Sequence, residues 1–134
     1  MIPSTNTILS TELEVQTQPS KNYKMYLQDN IVNGFSDELE AMKQVIHKIL
    51  NTERYQHIIY SWNYGVELQD LFGEPVTYVC PELQRRISEA LVCDDRIEYV
   101  DDFKFDTSKK RTVGVTFTVH TIYGSLNGEK VVNF

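Results

Sequence analysis

The chain has 134 residues, 41% hydrophobic and 24% charged, and its 13 Lys and Arg against 19 Asp and Glu leave a net charge of -6. That length suits one domain able to bury roughly two thirds of the surface its unfolded chain exposes, so a core forms without disulfide or metal staples. An acidic balance argues against a phosphate-tracking surface and so against nucleic acid as a partner, and no run approaches the ~18 apolar residues of a membrane span.

The start, Met-Ile-Pro-Ser-Thr-Asn, has neither the basic opening nor the apolar block of a signal peptide, so synthesis in the cytoplasm is expected. Residues 1–20 are rich in Ser, Thr, Gln and Pro, with Ile8, Leu9, Leu13 and Val15 as scattered apolar anchors. This segment reads as an extended N-terminal arm ahead of a single domain over 21–134, of the kind that orders against a partner.

Tyr23, Met25 and Leu27 alternate with Lys24, Tyr26 and Gln28 as a half-buried strand does, and Asp29-Asn30 and Asn33-Gly34 follow as turns. Ser36 is placed to cap a helix whose first turn carries Asp37, Glu38 and Glu40 against the positive end of the dipole. Leu39, Met42, Val45, Ile46, Ile49 and Leu50 form its apolar stripe.

Tyr55 to Tyr60 reads as a short extended run into Ser61, Trp62, Asn63, Tyr64 and Gly65, a tight connection dense in aromatics. Trp62, Tyr64 and Gly65 are expected to be a structural hub, with Trp62 packed in the interior. Val66, Leu68, Leu71 and Phe72 suggest two turns of a second helix, stopped by Gly73 and Pro75. Pro81 suits the first turn of a third, lined by Leu83, Ile87, Ala90 and Leu91. Cys80 and Cys93 flank that helix of about 13 residues and would lie ~20 Å apart, too far for a disulfide.

From Ile97 the period becomes two. Ile97, Tyr99, Phe103 and Phe105 share one strand face that Asp101 interrupts as a bulge or edge would. Val113, Val115, Phe117, Val119 and Tyr123 alternate on the return, and Asn127-Gly128 is the strongest short hairpin signal in the chain. It predicts a last strand, Glu129, Lys130, Val131, Val132, Asn133 and Phe134, at a sheet edge open to another chain. The fold class that results is α+β, three helices on a small, mainly antiparallel sheet with a C-terminal hairpin and edge strand.

Glu53, Glu67, Asp70, Asp94 and Asp95 are the carboxylates weighed for acid and base work. A glycosidase needs two of them held ~5 to 10 Å apart in divergent environments, and sequence fixes neither condition. His47, His57 and His120 lie on separate elements without ligand spacing, and no phosphate loop, nucleophile elbow or dinucleotide fingerprint occurs among six glycines. No metal and no cofactor are expected. The segment Asp94, Asp95, Arg96, Ile97 joins the last helix to the sheet. It reads either as a helix terminator with local charge pairing, worth ~0 to 1 kcal/mol if exposed, or as a docking corner whose guanidinium makes bidentate contacts with a neighbouring subunit.

Ala41-Met-Lys-Gln, Ile49-Leu-Asn-Thr-Glu-Arg-Tyr, Ile59-Tyr-Ser-Trp-Asn-Tyr-Gly-Val-Glu-Leu, Asp70-Leu-Phe-Gly, Glu82-Leu-Gln-Arg-Arg-Ile and Asp95-Arg-Ile, with the two strands after them, run from about Tyr23 to Gly124. Together they resemble the sheath-initiator, or baseplate wedge, proteins of contractile phage tails, in the XkdS-like branch of defective prophages and phage-tail-like bacteriocins. The wider family, which includes a type VI secretion baseplate component, carries Glu-Pro-Arg where this chain has Asp94-Asp95-Arg96, so only the arginine matches fully.

The resemblance implies a structural protein without catalysis, made in the host cytoplasm and placed in the baseplate of a virion or tail-like particle in sixfold copies. Its implied partners are baseplate wedge proteins at the Arg96 corner and the tail sheath protein at the last strand, with tube or hub proteins nearby. A peptidoglycan-degrading glycosidase of the tail is the rival reading.

Overall fold

The computed structural model describes residues 14–133. Within them the chain forms a hairpin, β1 (Asn22–Tyr26) and β2 (Ile31–Ser36), then helix α1 (Glu38–Leu50). A one-turn 3-10 helix (Gln69–Leu71) and helix α2 (Val76–Val92) follow, and the meander β3 (Ile97–Asp106), β4 (Thr112–Thr121) and β5 (Gly124–Asn133) closes the described chain. The strands form two antiparallel sheets, β1-β2 and β3-β4-β5. Residues 1–13 of the expected arm, and Phe134 of the expected edge strand, lie outside the described residues.

The α+β class is as expected, but the helix count is not: two α-helices stand among the described residues where three were predicted. After Val66 the chain turns only once, because Gly73 at φ +86 and Pro75 leave no room for a second turn. The helix expected to begin at Pro81 begins at Val76, with the Pro75 carbonyl accepting from the amides of Tyr78 and Val79. Pro81 therefore sits inside α2, where one backbone bond is missing and the helix continues nonetheless.

The α1 cap is Asp37 rather than Ser36. Its carboxylate accepts from the Glu38 amide at 2.8 Å and from the Ser20 hydroxyl, and these bonds hold it below the usual carboxylate range. Ser36 instead ends β2, a strand that the turn residues Asn33 and Gly34 concealed. Gly34 adopts φ +72 there, a conformation that costs other residues energy.

The two helices and the larger sheet share one core. α1 contributes Met42, Ile46, Ile49 and Leu50; α2 contributes Val79, Leu83, Ile87 and Leu91; the sheet adds Ile97, Val113, Val115, Phe117, Val119 and Val132, all buried. Residues on one face of β4 thus alternate with the outward Thr116, Thr118 and His120, the pattern of a sheet covered on one side. A bulge between Asp101 and Lys104 turns β3 there and lets Phe103 stack on Phe117 at 5.5 Å.

The predicted turn at Asn127-Gly128 is not a turn. β4 and β5 pair without a slip from Thr112↔Asn133 to Thr121↔Gly124, so the reversal falls at Ile122 and Tyr123. Gly128 lies in mid-strand opposite Phe117, whose ring atoms would stand 2.4 Å from any Cβ placed there. The glycine is spent on close packing, not on reversal.

Candidate functional site

Three regions hold the residues singled out from sequence: the corner between α2 and β3, the strand β5, and the loop between α1 and the 3-10 turn.

At the corner, Arg96 is 6% exposed. Its Nε donates to Asp94 Oδ1 at 2.9 Å and its Nη2 to Oδ2 at 2.7 Å, a bidentate pair that the Arg96 amide reinforces with a bond to Oδ1 at 3.0 Å. Nη1 donates to the Pro19 carbonyl at 3.2 Å. The guanidinium fork is therefore filled from within the chain, pinning the segment that leads into β1; Asp95 alone of the two acids stays exposed. Ile97 is buried in the core. Of the two readings the sequence left open at this corner, local charge pairing is the one Arg96 makes with Asp94.

Burial pushes the Asp94 carboxyl up, but the hydrogen bonds and charge of Arg96 outweigh it and hold the group below the usual carboxylate range. A carboxylate depressed on folding stabilises fully above its unfolded pKa of ~4 and loses that contribution as pH falls through its folded value. Denaturant midpoints measured from pH 6 down to 2 should fall in that window, and Asp94→Asn should flatten this acid limb. An equally steep limb in the variant would show that the pair does not govern acid unfolding.

β5 pairs only with β4, so among the described residues its other side carries no strand. Val132 points into the core, Val131 and Glu129 outward. Lys130 lies on the core side, half-buried, donating to Asn51 Oδ1 at the end of α1 at 3.1 Å. Burial pushes its ammonium below the usual lysine range, against the opposing pull of Glu53. Beside the strand lies a cleft of about 790 Å³, lined by the β1-β2 hairpin, one side of α1, parts of β3 and β4, and residues 126–129 of β5. At the other sheet, Gln44 closes the β1 edge by accepting from the Met25 amide at 3.0 Å and donating to the Tyr23 carbonyl at 2.6 Å.

The loop overturns the expected place of Trp62. The side chain is 76% exposed, and Ile58 and Ile59 beside it are exposed as well. Aromatic density in a sequence reports available apolar area, not burial, and here only the base of the loop is interior. Gly65 is buried at φ +90, and a Cβ there would stand 2.5 Å from the Thr52 carbonyl oxygen. That oxygen accepts from the Val66 amide at 3.0 Å, Arg54 N-H donates to the Val66 carbonyl at 3.3 Å, and the Glu53 carboxylate receives the Leu68 amide at 3.0 Å. Tyr64 is half-buried and stacks on Tyr60 at 4.5 Å. Burial chiefly raises its hydroxyl pKa, with Tyr60 and the nearby Asp94 charge adding to the shift.

Three of the five carboxylates weighed for catalysis, Glu53, Asp70 and Asp94, have structural partners. Asp70 pairs with Arg86, which lowers its pKa, Glu53 closes the loop, and Asp94 holds Arg96. A general acid needs a carboxyl raised towards neutrality, whereas Asp70 and Asp94 are both displaced the other way. One arrangement had no sequence signal: on the outer face of the sheet, His120 Nε2 meets Asp101 Oδ1 and its Nδ1 meets Ser125 Oγ, each at 2.8 Å. Tyr99 stacks on the ring at 4.1 Å. The three strands are braced together there, on the outer face of the sheet.

Over residues 11–124, the sequence matches the family model described as contractile injection system sheath initiator. The chain belongs to that family. It is also 38% identical, over 90% of both chains, to the phage-like element PBSX protein XkdS of Bacillus subtilis (strain 168). Sheath-initiator membership makes this a structural component of a contractile tail, and no helix among the described residues is long and apolar enough to cross a membrane.

Proposed function

We propose that this sheath initiator works without catalysis in the baseplate, docking on wedge proteins at the Asp94 to Ile97 corner and presenting β5 to the first ring of sheath subunits. The ten-residue edge of β5, unpaired among the described residues, carries this reading. Strand addition takes its affinity from main-chain hydrogen bonds and its register from alternate side chains, and an unpaired strand beside a cleft supplies both requirements. Residues 129–133 would hold the added strand; sixfold placement is what the family resemblance implies.

Arg96 serves the corner from inside. By clamping Asp94 and the Pro19 carbonyl it fixes the shape that Asp95 presents and the direction in which the N-terminal segment leaves the domain.

Val131, exposed on β5, gives the test, because removing residues 129–134 would also strip Val132 from the core. Val131→Lys places an edge charge of the kind that blocks strand pairing while leaving the core untouched. Particles carrying it should show baseplates and tubes with little or no sheath by electron microscopy, at unchanged thermal stability of the isolated chain. Sheath of normal length and yield would remove β5 from the account.

A further inference from the structure

The corner proposed to meet the wedge is poor in what makes an interface bind. Arg96 is buried and spent, Asp94 is spent with it, and Ile97 belongs to the core. Affinity in protein interfaces comes from a few large side chains, Trp and Tyr foremost, that lose their water in a partner's pocket. The loop next to the corner carries such side chains. Tyr64 lies close enough to Asp94 to feel its charge, Tyr60 stacks on Tyr64, and Arg54 at the loop base reaches Glu89 of α2 at 3.6 Å.

The composition of the loop is equally directional. Residues 55–66 include no Asp, Glu, Lys or Arg, in a chain that is 24% charged. Ile58, Ile59 and Trp62 stand out from this uncharged stretch, while Arg85 and Glu89 on α2 are 58% and 53% exposed on the adjoining side. An apolar centre beside a rim of both signs is the anatomy of a protein interface. A bilayer is disfavoured, since the chain is net acidic and the loop brings no basic residues to anionic headgroups. The base is held by backbone and carboxylate bonds around Gly65, so less ordering cost remains to be met on binding.

We infer that Ile58, Ile59 and Trp62 form the apolar anchor of the wedge interface, seated in an uncharged aliphatic groove of a baseplate wedge protein whose rim carries charges of both signs opposite Arg85 and Glu89. This rests on the reading that the neighbouring corner faces the wedge.

The test places a photo-crosslinking residue at position 62, and separately at position 95, in the full chain assembled into particles, with crosslinked products identified by mass spectrometry. Both positions should capture a wedge protein. Capture at 95 but not at 62 would overturn the anchor and leave the corner; failure at both would overturn the corner reading as well. Capture of sheath protein or of a second copy by position 62 would also overturn it. Trp62→Ser together with Ile59→Asp should lower incorporation into baseplates at least tenfold while the melting temperature of the isolated chain stays within about 2 °C. Normal incorporation would sink the inference. So would Trp62-dependent co-sedimentation with vesicles of phosphatidylcholine and phosphatidylglycerol.

Discussion

Arg96→Ala should destabilise the isolated chain by about 3 to 5 kcal/mol, as loss of one partner from a buried pair does. The reason is what it leaves behind. Asp94, whose side chain is 11% exposed, would lose both bonds to the guanidinium, and the Pro19 carbonyl would lose its donor. An exposed pair of the same residues would be worth ~0 to 1 kcal/mol. Arg96→Lys keeps the charge but not the fork, so it should fall between wild type and alanine. Urea denaturation of the three proteins measures the order directly. If Arg96→Ala kept full stability and still failed to enter baseplates, the side chain would be a contact for the wedge after all.

Gly65→Ala should cost about 3 kcal/mol or more. Alanine at φ +90 loses ~1 to 2 kcal/mol to the left-handed backbone alone, and here its Cβ would also stand 2.5 Å from the Thr52 oxygen and 3.2 Å from the Arg54 nitrogen. Those atoms belong to the backbone bonds that close the loop, so they yield only if the base opens. Gly73→Ala provides the comparison: φ is +86, but a Cβ there meets nothing within 4 Å. It should lose the conformational share only. Equal midpoint shifts for the two variants would show that the crowding at Gly65 relaxes without consequence.

Together these two variants locate the rigid part of the molecule. The base of the loop and the Arg96 clamp are interior and intolerant, whereas Trp62, Asp95 and the outward Val131 of β5 are exposed. Stability and assembly should therefore separate by position.

Periodicity by itself determined the stripes of α1 and α2 and the alternation of β4, because those patterns are local consequences of 3.6 and 2 residues per repeat; on β3 a register shift after Ile97 moves Tyr99, expected on the same face, to the outer face against His120. The matched segments likewise carried the family before any geometry was known. Tertiary structure decided the rest. Asn127-Gly128 has the chemistry of a hairpin, yet unbroken pairing with β4 moved the reversal to Ile122 and Tyr123 and used Gly128 to admit Phe117. Pro81 looks like a helix start, yet the Pro75 carbonyl begins the helix a turn and more earlier. Trp62 looked interior because sequence counts apolar area without saying which side of the chain it faces. At Arg96 the sequence left local pairing and an outward contact both open; burial of the pair with Asp94 and the bond to Pro19, 77 residues away, depend on how the chain closes on itself.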